Sequence, residues 1–136
     1  MSDTNDIKMF TVKEANDFLP KLKIWLGDLQ ALRESILAME VEIDALELIS
    51  EKDDSGNSKV LPPKVEAYNQ RVNRFYAVVD EIHSAGCLLK DLDHGLVDFC
   101  GLYQNRMVHF CWKFGESEVK WWHEIGLGFT SRQPLD

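Results

Sequence analysis

Residues 22–46 read LKIWLGDLQALRESILAMEVEIDAL, and the period of this stretch decides the fold. Leu22, Trp25, Leu29, Leu32, Ile36, Met39, Ile43 and Leu46 are spaced 3, 4, 3, 4, 3, 4, 3. A mean step of 3.5 nearly matches one helical turn, so all eight side chains fall on one stripe. A half-buried strand would need alternation by two. The stripe therefore predicts a long helix with coiled-coil-like packing.

Working upstream, FTVKEA at 10–15 is a helix start. Thr11 can cap, and Glu14 stands three residues later, the spacing of a capping box. Pro20 cannot donate to the carbonyl of Asn16, which predicts a kink or break there. Downstream, Ser50 ends the period, and the polar run EKDDSGNSK with the following LPP predicts a loop over 51–63. Pro62 and Pro63 suit the first turn of a second helix. Val65, Tyr68, Val72, Phe75, Val79 and Ile82 then repeat the 3, 4, 3, 4, 3 spacing, and Gly86 is a natural C-cap. Two stripes joined by a short loop imply an antiparallel helical hairpin over 11–86. Ile24, Leu26, Leu37, Val41, Leu48 and Ile49 widen the first helix's apolar face. Either the C-terminal region or a second copy must cover them, so a homo-oligomer, most simply a dimer, is expected.

After Gly86 the helical period stops. CLLKD (87–91), GLVDFCG (95–101) and MVHFCWKF (107–114) are strand candidates, with LYQNR (102–106) as a hairpin loop. Val108, Phe110 and Trp112 alternate with His109 and Cys111. Any register that matches apolar with apolar puts Val97 and Phe99 on that apolar face, and Asp98 opposite with His109 and Cys111. An acid, an imidazole and a thiol would share one sheet face, which the simplest reading makes polar and solvated. GESEVKWWHE (115–124) is readable as helix or strand, and His123 accompanies apolar neighbours either way. The expected class is α+β: a long hairpin followed by a small antiparallel β-hairpin or meander cap at 87–136, all in a single domain 1–136.

Composition bounds the function. The net charge is −8, with 13 acidic and 7 basic residues in 1–60 and 10 and 8 in 61–136. Nucleic-acid backbones and anionic membranes both require clustered Lys and Arg, so neither partner is expected. No apolar run spans a bilayer, and the polar N-terminus has no signal-peptide core. Three cysteines without a CxxC pattern fit free thiols in a reducing, cytoplasmic setting. His123-Glu124 starts like the zinc-protease HExxH, but Leu127 stands where the second histidine belongs. The P-loop, GxSxG and EF-hand patterns are also missing.

FTVKEANDFLPKL at 10–22, LKDLDHGLVDF at 89–99 and CWKFGESEVKWWHEIGLGFTSRQPL at 111–135 resemble an uncharacterised bacterial family, domain of unknown function 2203. Its pattern falls on Asp91, Gly95, Asp98 and Phe99, then Cys111, Trp112, Gly115 and Glu116. It continues through Trp122, His123, Glu124, Gly128, Phe129, Arg132 and Pro134. Cys100 and Ser117 stand where the family often has Pro. The resemblance implies no activity.

Two functional readings compete, and the first ranks ahead because no catalytic constellation can be assembled from spacing alone. One is a non-enzymatic, homo-oligomeric interaction or scaffold protein, motivated by the two long apolar stripes. The other is a small metal-dependent or small-molecule-binding enzyme built on the cluster Asp98, Glu116, His123, Glu124 and Arg132 amid Trp and Phe. There His123 would be a ligand or general base, with Glu124 or Glu116 orienting it and Arg132 holding an anionic group. Asp98, His109, Cys111 and His123 are the candidate ligands for a divalent metal cofactor. A structural role for Arg132, pairing with Glu116 or Asp98 to pin the C-terminal tail, uses the same residues.

Overall fold

The computed structural model describes residues 7–52 and 59–136; the middle of the expected 51–63 loop and the acids Asp53 and Asp54 lie outside them. Helix α1 spans Val12–Lys52 and α2 spans Leu61–Ser84. Five strands follow: β1 (Cys87–Asp91), β2 (Leu96–Tyr103), β3 (Arg106–Lys113), β4 (Trp121–His123) and β5 (Gln133–Pro134). They form one antiparallel sheet in the order β1-β2-β3-β4-β5. The fold class is therefore α+β: two packed helices and then a meander. Among the described residues no helix is long and apolar enough to cross a membrane.

The capping box forms as its spacing requires. The Glu14 N–H donates to Thr11 Oγ1 at 3.0 Å, and the Thr11 N–H donates to Glu14 Oε1 at 2.9 Å. Of the kink or break expected at Pro20, the break does not occur: α1 continues through it. Ala15, Leu19 and Leu22, on both sides of the proline, are buried, and their packing holds the turn together despite the missing hydrogen bond. Gly86 closes α2 with φ of +96° and its N–H donating to the His83 carbonyl.

The chain divides into two compact units. Residues 28–78 form one, the hairpin of α1 and α2. Its cross-helix contacts run Arg71 to Ser35 and Met39, Tyr68 to Glu40, and Lys64 to Glu42. One partner's number rises as the other's falls, so the helices are antiparallel. In the heptad stripe Leu29 and Ile43 are buried, and Leu32, Ile36, Met39 and Leu46 are half-buried. Leu37, Val41, Leu48 and Ile49 are exposed.

The other unit comprises residues 1–27 and 79–136, and the sheet is its centre. The β2–β3 register pairs Val97 with Trp112, Asp98 with Cys111, Phe99 with Phe110 and Cys100 with His109. The two-residue turn at Gln104 and Asn105 sets it, with φ of 53° and 65°, the paired positive values of a tight hairpin turn. One face is apolar and buried: Val97, Phe99, Val108, Phe110, Trp112 and, from β4, Trp122. Phe10 lies against it, its ring centroid 5.0 Å from that of Phe99 and 6.5 Å from that of Phe18 on α1. Its N–H donates to the Cys100 carbonyl at 2.7 Å. This crossing passes directly over Gly101, where a Cβ would lie 2.6 Å from the Phe10 carbonyl oxygen and would strike the Phe110 ring.

The segment 117–124 is not helical. Trp121–His123 is a strand, and the residues before it are irregular. The Val119 N–H is taken by Asn16 Oδ1 at 2.6 Å, and Trp112 Nε1 donates to the Glu116 carbonyl at 3.0 Å. Both contacts tie this stretch to other elements, Val119 to α1 and Glu116 to β3.

Two glycine substitutions should act in opposite directions. Gly101→Ala should cost about 2–3 kcal/mol, since the obstruction is backbone as well as ring. Gly27→Ala, inside α1 with open space around it, should add about 0.5–1 kcal/mol. Thermal unfolding followed by circular dichroism reads both signs.

Candidate functional site

On the sheet face opposite the apolar core, pairing gathers the chemistry. Asp98 on β2 is opposite Cys111 on β3, and His109 on β3 is opposite His123 on β4. The face is not solvated as the simplest reading had it. Asp98 is 3% exposed, His109 8%, Cys111 1% and His123 1%. Cover comes from the chain after β4: Leu127, Gly128 and Phe129 close over the face and leave a cavity of about 140 Å³.

His123 is the pivot. Its Nδ1 lies 2.8 Å from the Glu124 carbonyl oxygen, and its Nε2 lies 2.9 Å from Asp98 Oδ2. A carbonyl oxygen only accepts, so Nδ1 carries a proton. In a neutral ring Nε2 would then present a lone pair to a carboxylate oxygen. Something positive must lie between them: a shared proton, or a metal ion in its place. The ligand atoms of Asp98, Cys111 and His123 all lie within 4.8 Å of one another. Among the described residues this is the one group of three or more His, Cys, Asp or Glu side chains placed to hold a metal.

His109 stands beside this group. Its ring is edge-on to His123 at 5.4 Å between centroids, and its Nδ1 is 3.4 Å from Asp98 Oδ2. That contact lacks hydrogen-bond geometry, so Nδ1 is buried without a partner. Burial pushes the His109 pKa down; the Asp98 carboxylate opposes this, while the charges of His123 and Lys90 reinforce it. The ring is therefore neutral, the form in which imidazole ligates.

The Cys111 thiol is pushed up to about 12, first by burial and then by the Asp98 charge, with Arg132 opposing. At neutral pH it is a thiol, which argues against a cysteine nucleophile. The ring nitrogen such a nucleophile would need is also engaged by Asp98. A metal ion removes the objection, because coordination expels the thiol proton.

Of the other expected site residues, Glu116 and Glu124 do not join this centre, and Arg132 reaches it only beside Cys111. Glu116 and Arg132 pair with each other: Nη2 is 2.6 Å from Oε2 and Nη1 is 3.2 Å from Oε1. Glu116 Oε1 also accepts the Lys113 N–H at 2.8 Å, which ties the β3–β4 connection to the tail. The Arg132 guanidinium lies 4.7 Å from the Trp121 ring centroid and 4.1 Å from that of Phe129. Arg132 thus fixes the covering segment by charge and stacking together. The Glu124 side chain pairs with Arg106 at the surface, 2.7 Å away, and only its carbonyl serves His123. Two contributors escaped the sequence reading. Lys90 lines the cavity; its place two residues beyond Leu88, the partner of Asp98, was a usable signal. The Glu124 carbonyl carried none.

Residues 8–135 match a family model described as "Uncharacterized conserved protein (DUF2203)", and the chain belongs to that family. No curated protein and no solved structure matches it.

The Glu116–Arg132 pair is largely shielded, with side chains 24% and 15% exposed. Arg132→Ala should therefore destabilise by about 2–4 kcal/mol, because it strands a part-buried carboxylate. Arg132→Lys should recover less than half of that, since lysine lacks the two-pronged donor. A loss below about 0.5 kcal/mol in denaturant unfolding, the range of an exposed pair, would rule out the pinning role.

Proposed function

We propose that this member of the DUF2203 family is a metal-binding protein, with Asp98, Cys111 and His123 holding a divalent ion of the zinc class and His109 at its flank. The observation that carries the reading is His123, whose Nδ1–H is fixed by a backbone carbonyl while Nε2 faces Asp98 and Cys111. A backbone carbonyl on the far nitrogen is the usual support of a metal-bound imidazole. One sulfur, one nitrogen and one oxygen donor suit a borderline-soft ion. Bond lengths near 2.1 Å in a tetrahedral centre separate N and O by about 3.4 Å. The 2.9 Å His123–Asp98 contact would open by about 0.5 Å as the ion replaces the shared proton. Three protein ligands with a further position for solvent or substrate is the pattern of a working centre rather than a purely structural one. The geometry therefore favours the metal-dependent reading over the scaffold reading.

Self-association remains as a second reading, supported by Leu37, Val41 and Leu48. They are exposed at steps of four and seven along α1, one stripe turned away from the hairpin seam. A second copy packing its own stripe there would cover it.

Metal analysis of protein purified without chelators should find about one zinc-class ion per chain. Cys111→Ser and His123→Gln should each lower the content at least about tenfold with the circular dichroism spectrum kept. Metal-free protein whose melting temperature is indifferent to added zinc would contradict the reading. For self-association, light scattering at micromolar concentration should give a dimer that Val41→Glu converts to monomer; a monomeric parent protein would refute it.

A further inference from the structure

The cavity beside the proposed centre has a composition of its own. Its volume of about 140 Å³ is well below the roughly 300–1,000 Å³ of a drug-sized site, so only a ligand of a few heavy atoms fits. Asp98, Cys111 and His123 form one wall, and Leu127 and Phe129 form an apolar one. Lys90 is the only cation among its lining residues. It sits where the β1–β2 register slips between Leu89 and Asp91, a local bulge that sets it apart from the regular ladder.

Charge then limits what can enter. A divalent ion held by the Asp98 carboxylate and the Cys111 thiolate has no net charge. The Arg132 charge also reaches Cys111 but is already matched by Glu116, so one negative charge added at the ion's remaining position is matched by Lys90, and a second is not. The apolar wall accepts a short hydrocarbon end, and no second cationic side chain lines the cavity for another anionic group.

We propose that this cavity binds a small monoanion of the carboxylate class, placed between the metal's free coordination position and Lys90. The inference rests on the metal reading above and names the ligand class that centre takes. Lys90 acts as a positioning residue: it selects the anion's charge and holds its outer oxygen, without ligating the ion.

The test uses the full chain loaded with cobalt(II), whose visible absorption reports coordination, and titrates acetate, azide and sulfate. Cobalt binding with a thiolate charge-transfer band is the first readout and tests the centre alone. Acetate and azide should then change the visible bands saturably, with sulfate at least about tenfold weaker. Lys90→Met should weaken acetate about tenfold, as expected for one partly screened charge, with cobalt affinity unchanged within about threefold. Lys90→Arg should stay close to the parent protein. Lys90 is exposed, so these variants should fold. Bands that ignore acetate and azide in cobalt-loaded protein overturn the anion site and leave the centre standing. Equal acetate affinity in Lys90→Met overturns the role of Lys90. Failure of cobalt to bind at all overturns the centre and the anion site together.

Discussion

A carboxylate has no stable place inside a folded domain unless a proton or a positive charge meets it. Asp98, 3% exposed in the middle of the sheet, imposes that demand on everything around it. His123 answers from β4 at 2.9 Å, and it can do so only because the Glu124 carbonyl holds its other nitrogen. His109 and Cys111 arrive with the same face of β3, one with a buried nitrogen lacking a partner and the other with its thiol proton firmly held. Such a group is costly as mere filling. Apolar side chains of similar volume are often as stable as, or more stable than, a buried ionic group. On the proposed reading, the ion these side chains would share offsets that cost.

The rest of the unit keeps that face in register and covered. The tight turn at Gln104 and Asn105 sets β2 against β3, so Asp98 meets Cys111 rather than a core aromatic. A slip of one residue would turn Asp98 into the apolar face. Phe10 crosses Gly101 and anchors the start of α1 to the opposite side. Glu116 and Arg132 serve the cover: their paired charges tie the β3–β4 connection to the tail, and the guanidinium stacks between Trp121 and Phe129. Chemistry and support thus fall on different residues, although the sequence interleaves them within a short C-terminal stretch.

How much of this could be read in advance depends on whether a period was present. The 3, 4 spacing of Leu22 to Leu46 and of Val65 to Ile82 is enough for two antiparallel helices, and the alternation from Val108 to Trp112 is enough for the face that Asp98, His109 and Cys111 share. Both are regularities that backbone geometry imposes. At Pro20 the local rule about one hydrogen bond does not break the helix, which has buried side chains on both sides of the proline. Between 117 and 124 helix and strand were equally readable, since the deciding contact, Asn16 with Val119, joins distant parts of the chain. The burial of the Asp98 face was hidden for the same reason. Its cover is an aperiodic segment held by Arg132, and Glu116 and Glu124, which looked like members of the site, instead meet arginines.

The central claim is that Asp98, Cys111 and His123 share one ion. X-ray absorption at the zinc edge of zinc-loaded protein addresses it most directly, because scattering from sulfur differs plainly from scattering by nitrogen or oxygen. The account predicts one sulfur at about 2.3 Å with nitrogen and oxygen donors at about 2.0–2.2 Å, and loss of the sulfur shell in Cys111→Ser. A first shell of nitrogen and oxygen alone in the parent protein would contradict it.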